Sequence, residues 1–404
     1  MLLLHYCLAL AVAIYLRMNN WTSFLAFLAG LLAVGPAEAM LRFPCSQLVT
    51  ERFDPLVTPG EVSPHVHQIV GGNAFNLTMD PSLDLPNLAT CTTCRFKENK
   101  SNYWTAVMYF KHTNGSYIRV PQIANHIVGS PNGGMTVYYV QHPDGSKITA
   151  FPKGFRMITG DAMYRKRMFS DERSGDYWAK SFRCWQTTGP YDYSNSHAIG
   201  PGPFDTVHLP EAPCPGGIRS NTFFPGCWDG VNLDSHDHKS HVAFYENVNP
   251  AAGLFVSNGT CPSTHPVKIP ALFFETVWDT KQLNHLWPEG GEQPYVLSMG
   301  DPTGYGHHGD YVFGWEGDAL QRAMDSCTSI LGRPAECTEL TLQTDEEMNS
   351  CAQVPRVAEK VEGGYISALP GCNPIQAGPE SATLVPGCTA VSTTIPAATG
   401  TPTL

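Results

Sequence analysis

Three short stretches concentrate the side chains able to hold a metal ion or move a proton. The first is Pro64-His65-Val66-His67. On a strand, residues two apart point to the same face, so His65 and His67 can chelate one ion. The second runs Asp234-Ser235-His236-Asp237-His238-Lys239-Ser240-His241, with His238 and His241 three apart and Asp234 and Asp237 beside them. The third is the glycine-rich run from Gly300 to Asp310, in which His308 and Asp310 repeat the two-residue spacing. Converging imidazoles and carboxylates suit a divalent metal such as zinc, manganese or copper, because neutral histidine nitrogen is a borderline ligand. The expected ligand set is His65, His67, His238, His241, His308 and Asp310. The same groups can instead form a metal-free acid–base set: His67, His238 and His308 carry protons, Asp234 and Asp310 orient them, and Tyr305 donates or accepts. A third reading makes these histidines hydrogen-bonding braces of loops. No HExxH, GxSxG or paired CxxC pattern decides among them.

Paired carboxylates are a separate option. Glu275 and Asp279 alternate onto one strand face and resemble a glycosidase acid and nucleophile. Four residues of strand separate them by ~13 Å at ~3.3 Å per residue. That exceeds the ~5 to ~9.5 Å such pairs need, so each requires another partner. Trp228, Trp278, Trp315 and Tyr305 are candidates for stacking on sugar rings, or for simple core packing.

The elements that must position these groups read as strands. Tyr103–Phe110, then Asn114-Gly115, then Ser116–Val120 is a hairpin pattern. Thr136–Val140 and Ile148–Phe151 flank Pro143-Asp144-Gly145, a second one. Val242–Tyr245, Val267–Trp278 and Tyr295–Ser298 add further strands. Only Gly317–Thr328 has a helical stripe, in Ala319, Leu320, Ala323 and Met324. The pattern predicts a mainly β fold: one antiparallel sandwich or jelly roll over residues 40–330, with long loops, a few short helices and several disulfides. Residues 331–388 form a cysteine-containing extension, and 389–404 a Ser/Thr/Pro-rich tail.

The N-terminus reads as an export signal over residues 1–39. Two apolar runs flank Arg17-Met18, and the second ends at Ala37-Glu38-Ala39, a small-x-small cleavage pattern. The arrangement suggests a natural start at Met18; one long signal anchor containing Arg17 is the other reading. Of 13 cysteines, Cys7 lies in this leader and an even set of twelve follows, which in an exported chain implies disulfides. Cys91-Thr92-Thr93-Cys94 is also open to a redox or zinc reading. Sequons at Asn76, Asn99, Asn114 and Asn258 mark possible glycans. The formal net charge of −11, without any basic run, argues against nucleic acid or an anionic membrane as partner. After signal cleavage no membrane association is expected.

Several strings resemble a known secreted family: Pro64–Phe75, Thr93–Phe110, Cys214–Phe244, Cys261–Asp279 and Gly300–Tyr311. The family is catalogued as domain of unknown function nineteen-ninety-six. It is common in filamentous fungi, and some members carry carbohydrate-binding WSC modules, of which none follows here. The likeness covers roughly residues 40–330. It implies an extracellular or wall-associated protein with a carbohydrate connection, and retains the positions of His67, Asp234, His238, His241, His308 and Asp310. His236 stands where proline is more usual and His307 where an aromatic is more usual. The functional expectation is cleavage of cell-wall polysaccharide by a His/Asp site, with a non-enzymatic wall or carbohydrate-binding protein as the alternative.

Overall fold

Two antiparallel sheets face each other in the computed structural model, which describes residues 40–123, 133–188, 204–249 and 258–385. The expected leader, Cys388 and the tail lie outside the described residues. The larger sheet has seven strands. Their order is β1 (Met40–Cys45), β8 (Met135–Val140), β16 (Ala271–Trp278), β12 (Gly217–Phe223), β10 (Lys180–Trp185) and β11 (Asp205–Thr206), with β7 (Gln122–Ile123) also on β16. The second sheet runs β2 (Val49–Glu51), β3 (His67–Gly71), β4 (Asn102–Ala106), β18 (His308–Val312) and β9 (Arg156–Gly160). Two three-stranded sheets flank them: β17 (Tyr295–Leu297), β5 (Met108–Lys111) and β6 (Tyr117–Arg119); and β14 (Val242–Ala243), β13 (Cys227–Trp228) and β15 (Val267–Lys268).

Alternation explains how the sheets meet. Phe43, Val137, Tyr139, Leu272 and Phe274 point inward from the large sheet, and Val70, Tyr103, Met157 and Tyr311 from the second. Tyr103 packs edge-on against Phe274 at 5.6 Å between ring centroids. The buried tyrosine hydroxyls satisfy one another: Tyr103 and Tyr139 lie 2.8 Å apart, and Tyr139 and Tyr311 3.2 Å. Left unpaired in this core, such a hydroxyl costs about 1–3 kcal/mol. The mainly β sandwich expectation therefore holds.

The opposite face of the second sheet is not solvent. Ile69, Trp104, Ile158 and Val312 pack there against Phe53, Phe75, Met79 and Leu85. Its strands are buried on both faces, and this covered outer face carries the histidines discussed below.

Local expectations divide. Asn114-Gly115 turns the β5–β6 hairpin, with Gly115 at φ +86°, where a side chain is disfavoured. The Tyr103–Phe110 run, however, breaks at Val107 and serves two sheets. Val107 leaves both ladders to donate to Val66 O and accept from Ser298 N. Ile148–Phe151 is not a strand; Thr149 N instead donates to Lys268 O. The predicted helix forms over Ala319–Ser326 and buries Ala319, Leu320, Ala323 and Met324.

Five disulfides staple the described residues: Cys45–Cys94, Cys91–Cys351, Cys184–Cys214, Cys227–Cys261 and Cys327–Cys337. Cys91 and Cys94 thus have separate partners, which removes the redox or zinc pair reading. Asn99 is fully buried, with its amide bonded to the Tyr103 hydroxyl, so a glycan there is incompatible with the fold. Asn76 and Asn114 are exposed. No helix among the described residues is long and apolar enough to cross a membrane.

Candidate metal centre

His67 opens β3 and His308 opens β18, and β4 runs between them. Ala106 stands opposite His67, while Thr105 stands opposite Gly309. That register puts both imidazoles on the outer face, either side of the small, buried Ala106. His65 lies two residues before His67 and turns its ring to the same side, with centroids 4.3 Å apart. The Thr105 hydroxyl donates to His308 O at 2.5 Å and holds the start of β18.

The three rings meet through their Nε2 atoms. His308 Nε2 lies 3.2 Å from His65 Nε2 and 3.3 Å from His67 Nε2. The other nitrogens explain why. His67 Nδ1 faces the Phe53 carbonyl at 3.0 Å and His308 Nδ1 faces the Gly306 carbonyl at 2.9 Å. Each Nδ1 must donate to its carbonyl, which leaves each Nε2 as a bare lone pair. The His67 and His308 lone pairs, facing at hydrogen-bond distance, are satisfied by a shared positive centre or by a proton on His65 Nε2, whose tautomer no carbonyl fixes. Burial opposes a protonated ring: it lowers His67 to about 3 and His308 to about 4, and drives His65 well below its usual range. A metal ion satisfies all three. The edge of a tetrahedron with zinc–nitrogen bonds of ~2.0–2.1 Å is ~3.3–3.4 Å, close to the two spacings seen. Among the described residues, these imidazoles form the one set of three or more ligand groups whose donor atoms all lie within 4.8 Å.

A second layer holds the rings. Asp54 is buried and caps its own turn, accepting from Leu56 N and Val57 N. Burial raises its carboxyl, while His308 and His238 pull it back down, so it sits in the field of both. The loop that supplies Gly306 is tied by Asp301, which accepts from Thr303 N, the Thr303 hydroxyl and Gly306 N. Arg165 stands 3.7 Å from Asp301, both side chains fully buried. The backbone before His65 is clamped by Arg52 on Ser63 O and by Asn373 on Pro64 O. Arg52 in turn pairs with Glu359 at 2.6 Å. Sequence reasoning missed Asp54, Arg52 and Arg165. Asp301 was visible in the glycine-rich run but carried no spacing signal.

The other candidates fall elsewhere. His238 has Asp234 Oδ1 at 2.7 Å on Nδ1 and Leu56 O at 3.1 Å on Nε2. His241 has the Ser235 hydroxyl at 2.9 Å and Arg156 O at 2.8 Å. Neither has a ring nitrogen left for an ion. Asp310 shares the outer face but lies one row along, opposite Trp104 and Ile158. Both its oxygens lack a hydrogen-bond partner, and burial, with Asp54 adding, raises its carboxyl well above the usual range. His307 turns to the opposite face and meets the Thr222 hydroxyl at 2.6 Å. Tyr305 is half-buried and lines a surface recess. Glu275 is buried in an ion pair with Arg219 at 3.1 Å. Asp279 lies 3.6 Å from Lys281. Trp228, Trp278 and Trp315 are all buried and so are not sugar platforms.

Fold and cluster together define a disulfide-stapled β sandwich carrying three convergent imidazoles. The family model described as Domain of unknown function (DUF1996) matches residues 54–315, and the chain belongs to that family. No curated protein and no solved structure matches it.

Proposed function

We propose that this is a secreted protein that holds a divalent transition metal between His65, His67 and His308 and acts on cell-wall polysaccharide. The observation that carries the metal is the convergence of three Nε2 atoms, with the Nδ1 of His67 and of His308 fixed by backbone carbonyls. Three protein ligands leave one coordination position, the arrangement of catalytic rather than structural zinc. Bound there, a metal supplies a Lewis acid and lowers the pKa of a coordinated water towards about 7. The chain's own residues orient the imidazoles through Phe53 O and Gly306 O, keep them neutral by burial, and place the Asp54 carboxyl in the field of His308. Five disulfides fit an oxidising, extracellular setting.

One observation favours a second reading. All three imidazoles are buried, which suits a structural metal in a non-enzymatic wall or carbohydrate-binding protein. The test is elemental analysis of protein from a secretory host, followed by assay on β-glucans, mannans, chitin and uronans before and after chelation. One tightly held equivalent and chelator-sensitive product release are expected. A protein that takes up no zinc, manganese or copper overturns the metal. A metal-loaded protein that leaves every glycan intact leaves the structural reading standing.

A further inference from the structure

On the far side of β9 from β18 lies a cavity of about 380 Å³. Its wall includes Gly160, the residue opposite His308 in the β9–β18 ladder. A Cβ added to Gly160 would come within 2.9 Å of His308 Cα, so this part of the cavity wall lies directly against the backbone that carries His308. A smaller recess adjoins it, and the two share Tyr164, Phe169, Asp176 and Lys180. Together they form a groove.

The groove's charge runs against the rest of the chain. Lys166, Arg167, Lys180 and Lys239 line it, against Asp176 and Glu246. The whole chain carries a formal −11. A locally cationic cleft on an acidic protein selects anions and draws them in. Arg167 is laid over the Tyr177 ring at 3.8 Å, so its planar face is already used. Lys239 lies 3.9 Å from Asp161. Among the described residues the Lys180 ammonium has no hydrogen bond or ion pair; it stands 5.9 Å from each of the Phe169 and Phe244 rings. A point charge between two aromatic faces suits a ring that offers both C–H groups and a carboxylate.

We propose that this groove binds acidic polysaccharide, with a uronic-acid ring between Phe169 and Phe244 and its carboxylate on Lys180. The inference rests on the preceding reading only in treating the groove as the substrate approach to the histidine centre; binding itself needs no metal. Burial lowers the Lys180 ammonium to about 8, with Asp176 opposing and Lys239 adding. Affinity for the anion therefore falls as pH rises through about 8.

The test is calorimetric titration of oligogalacturonate against a neutral cello-oligosaccharide of equal length. Wild type, Lys180→Met and Lys180→Arg are compared, each before and after treatment with a chelator. Lys180→Met keeps the aliphatic stem and is expected to lose about tenfold or more of the affinity. Lys180→Arg is expected to retain most of it. Binding should weaken with salt and survive chelation of the wild type within about threefold, so failure of the metal reading leaves this one testable. Equal affinity for the neutral oligomer, no binding of either, or an unchanged Lys180→Met overturns the proposal.

Discussion

The centre at His65, His67 and His308 and the loop from Asp234 to His241 are built from the same residue types, yet their imidazoles have opposite surroundings. In the first, two rings spend Nδ1 on a backbone carbonyl and three aim Nε2 at a common point. In the second, both nitrogens of His238 and His241 are spent on protein groups. The loop has a visible structural task. β9 is an edge strand, and its free side is covered by the loop: Arg156 N donates to Leu233 O, Ile158 N donates to His238 O, and Arg156 O meets His241 Nε2. An uncovered edge would invite pairing with another chain. His238 takes up a left-handed φ of +55° to deliver its carbonyl there, a conformation uncommon outside glycine. The two regions touch through one turn. Phe53 O orients His67, and Leu56 O accepts from His238. The loop is therefore a brace for the turn that orients His67.

The largest expected effect separates the two regions outright. His67→Ala or His308→Ala should abolish stoichiometric metal. The affinity loss should exceed the ~10–100-fold that follows from removing an outer-shell partner. His241→Ala should keep one equivalent. Elemental analysis and competition with a chromophoric chelator measure this. Equal loss in both sets would show that the regions form one site and would end the contrast.

Next in size is the cover over the histidine face. Cys91–Cys351 joins residues 260 apart and ties the C-terminal extension beside Phe53 and Val357. Replacing both cysteines with serine should cost ~2–5 kcal/mol by denaturant titration. Metal affinity should fall with it, because Glu359 of the extension pairs with Arg52, which clamps the backbone before His65. Retention of full stability would mean the extension is not part of the frame. Cys372 is the described cysteine left without a bridge, and Cys388 completes the even set. Thiol counting on secreted, denatured, unreduced protein is expected to find few or none free.

Half of the centre was legible in the sequence, and the reason for the other half is physical. The His65-x-His67 spacing foretold one face because strand alternation is local. His308 was a candidate, but nothing local ties it to His67. That depends on β4 lying between β3 and β18, a pairing across more than 200 residues. Asp234, His238 and His241 carried metal-like spacing, but their partners, Leu56 O and Arg156 O, are distant backbone atoms that no spacing reveals. Asp54 and Arg165 gave no signal, since isolated charged residues are ordinarily surface groups. The β class was readable from aromatic and β-branched runs. The break at Val107 was not, because one continuous run supplies two sheets.

Of intermediate size is His241→Ala, which removes both the Ser235 contact and the bond to Arg156 O. Leaving that buried carbonyl unpaired should cost ~1–3 kcal/mol. The thermal stabilisation produced by added metal should be unchanged, about 2.7 kcal/mol at a hundredfold excess over Kd. In His308→Ala the same addition should give none. A metal shift lost in His241→Ala would place that ring in the centre after all.

The smallest effect is the most discriminating. Asp234 accepts from His238 Nδ1 at 2.7 Å, with the two side chains 26% and 20% exposed. Arg156 Nε lies 3.8 Å from its other oxygen. Asp234→Asn keeps an acceptor facing His238 and removes the charge. A partly exposed pair is worth ~0.2–1 kcal/mol and is screened by salt. The variant should therefore lose no more than that, with the loss shrinking at high ionic strength and metal affinity unaltered. If Asp234 instead completed the shell around the ion, the same substitution would weaken metal binding by ~10–100-fold. The two expectations differ by at least tenfold in a single chelator competition. A weakened metal with unchanged stability would move the 234–241 loop from brace to binding site.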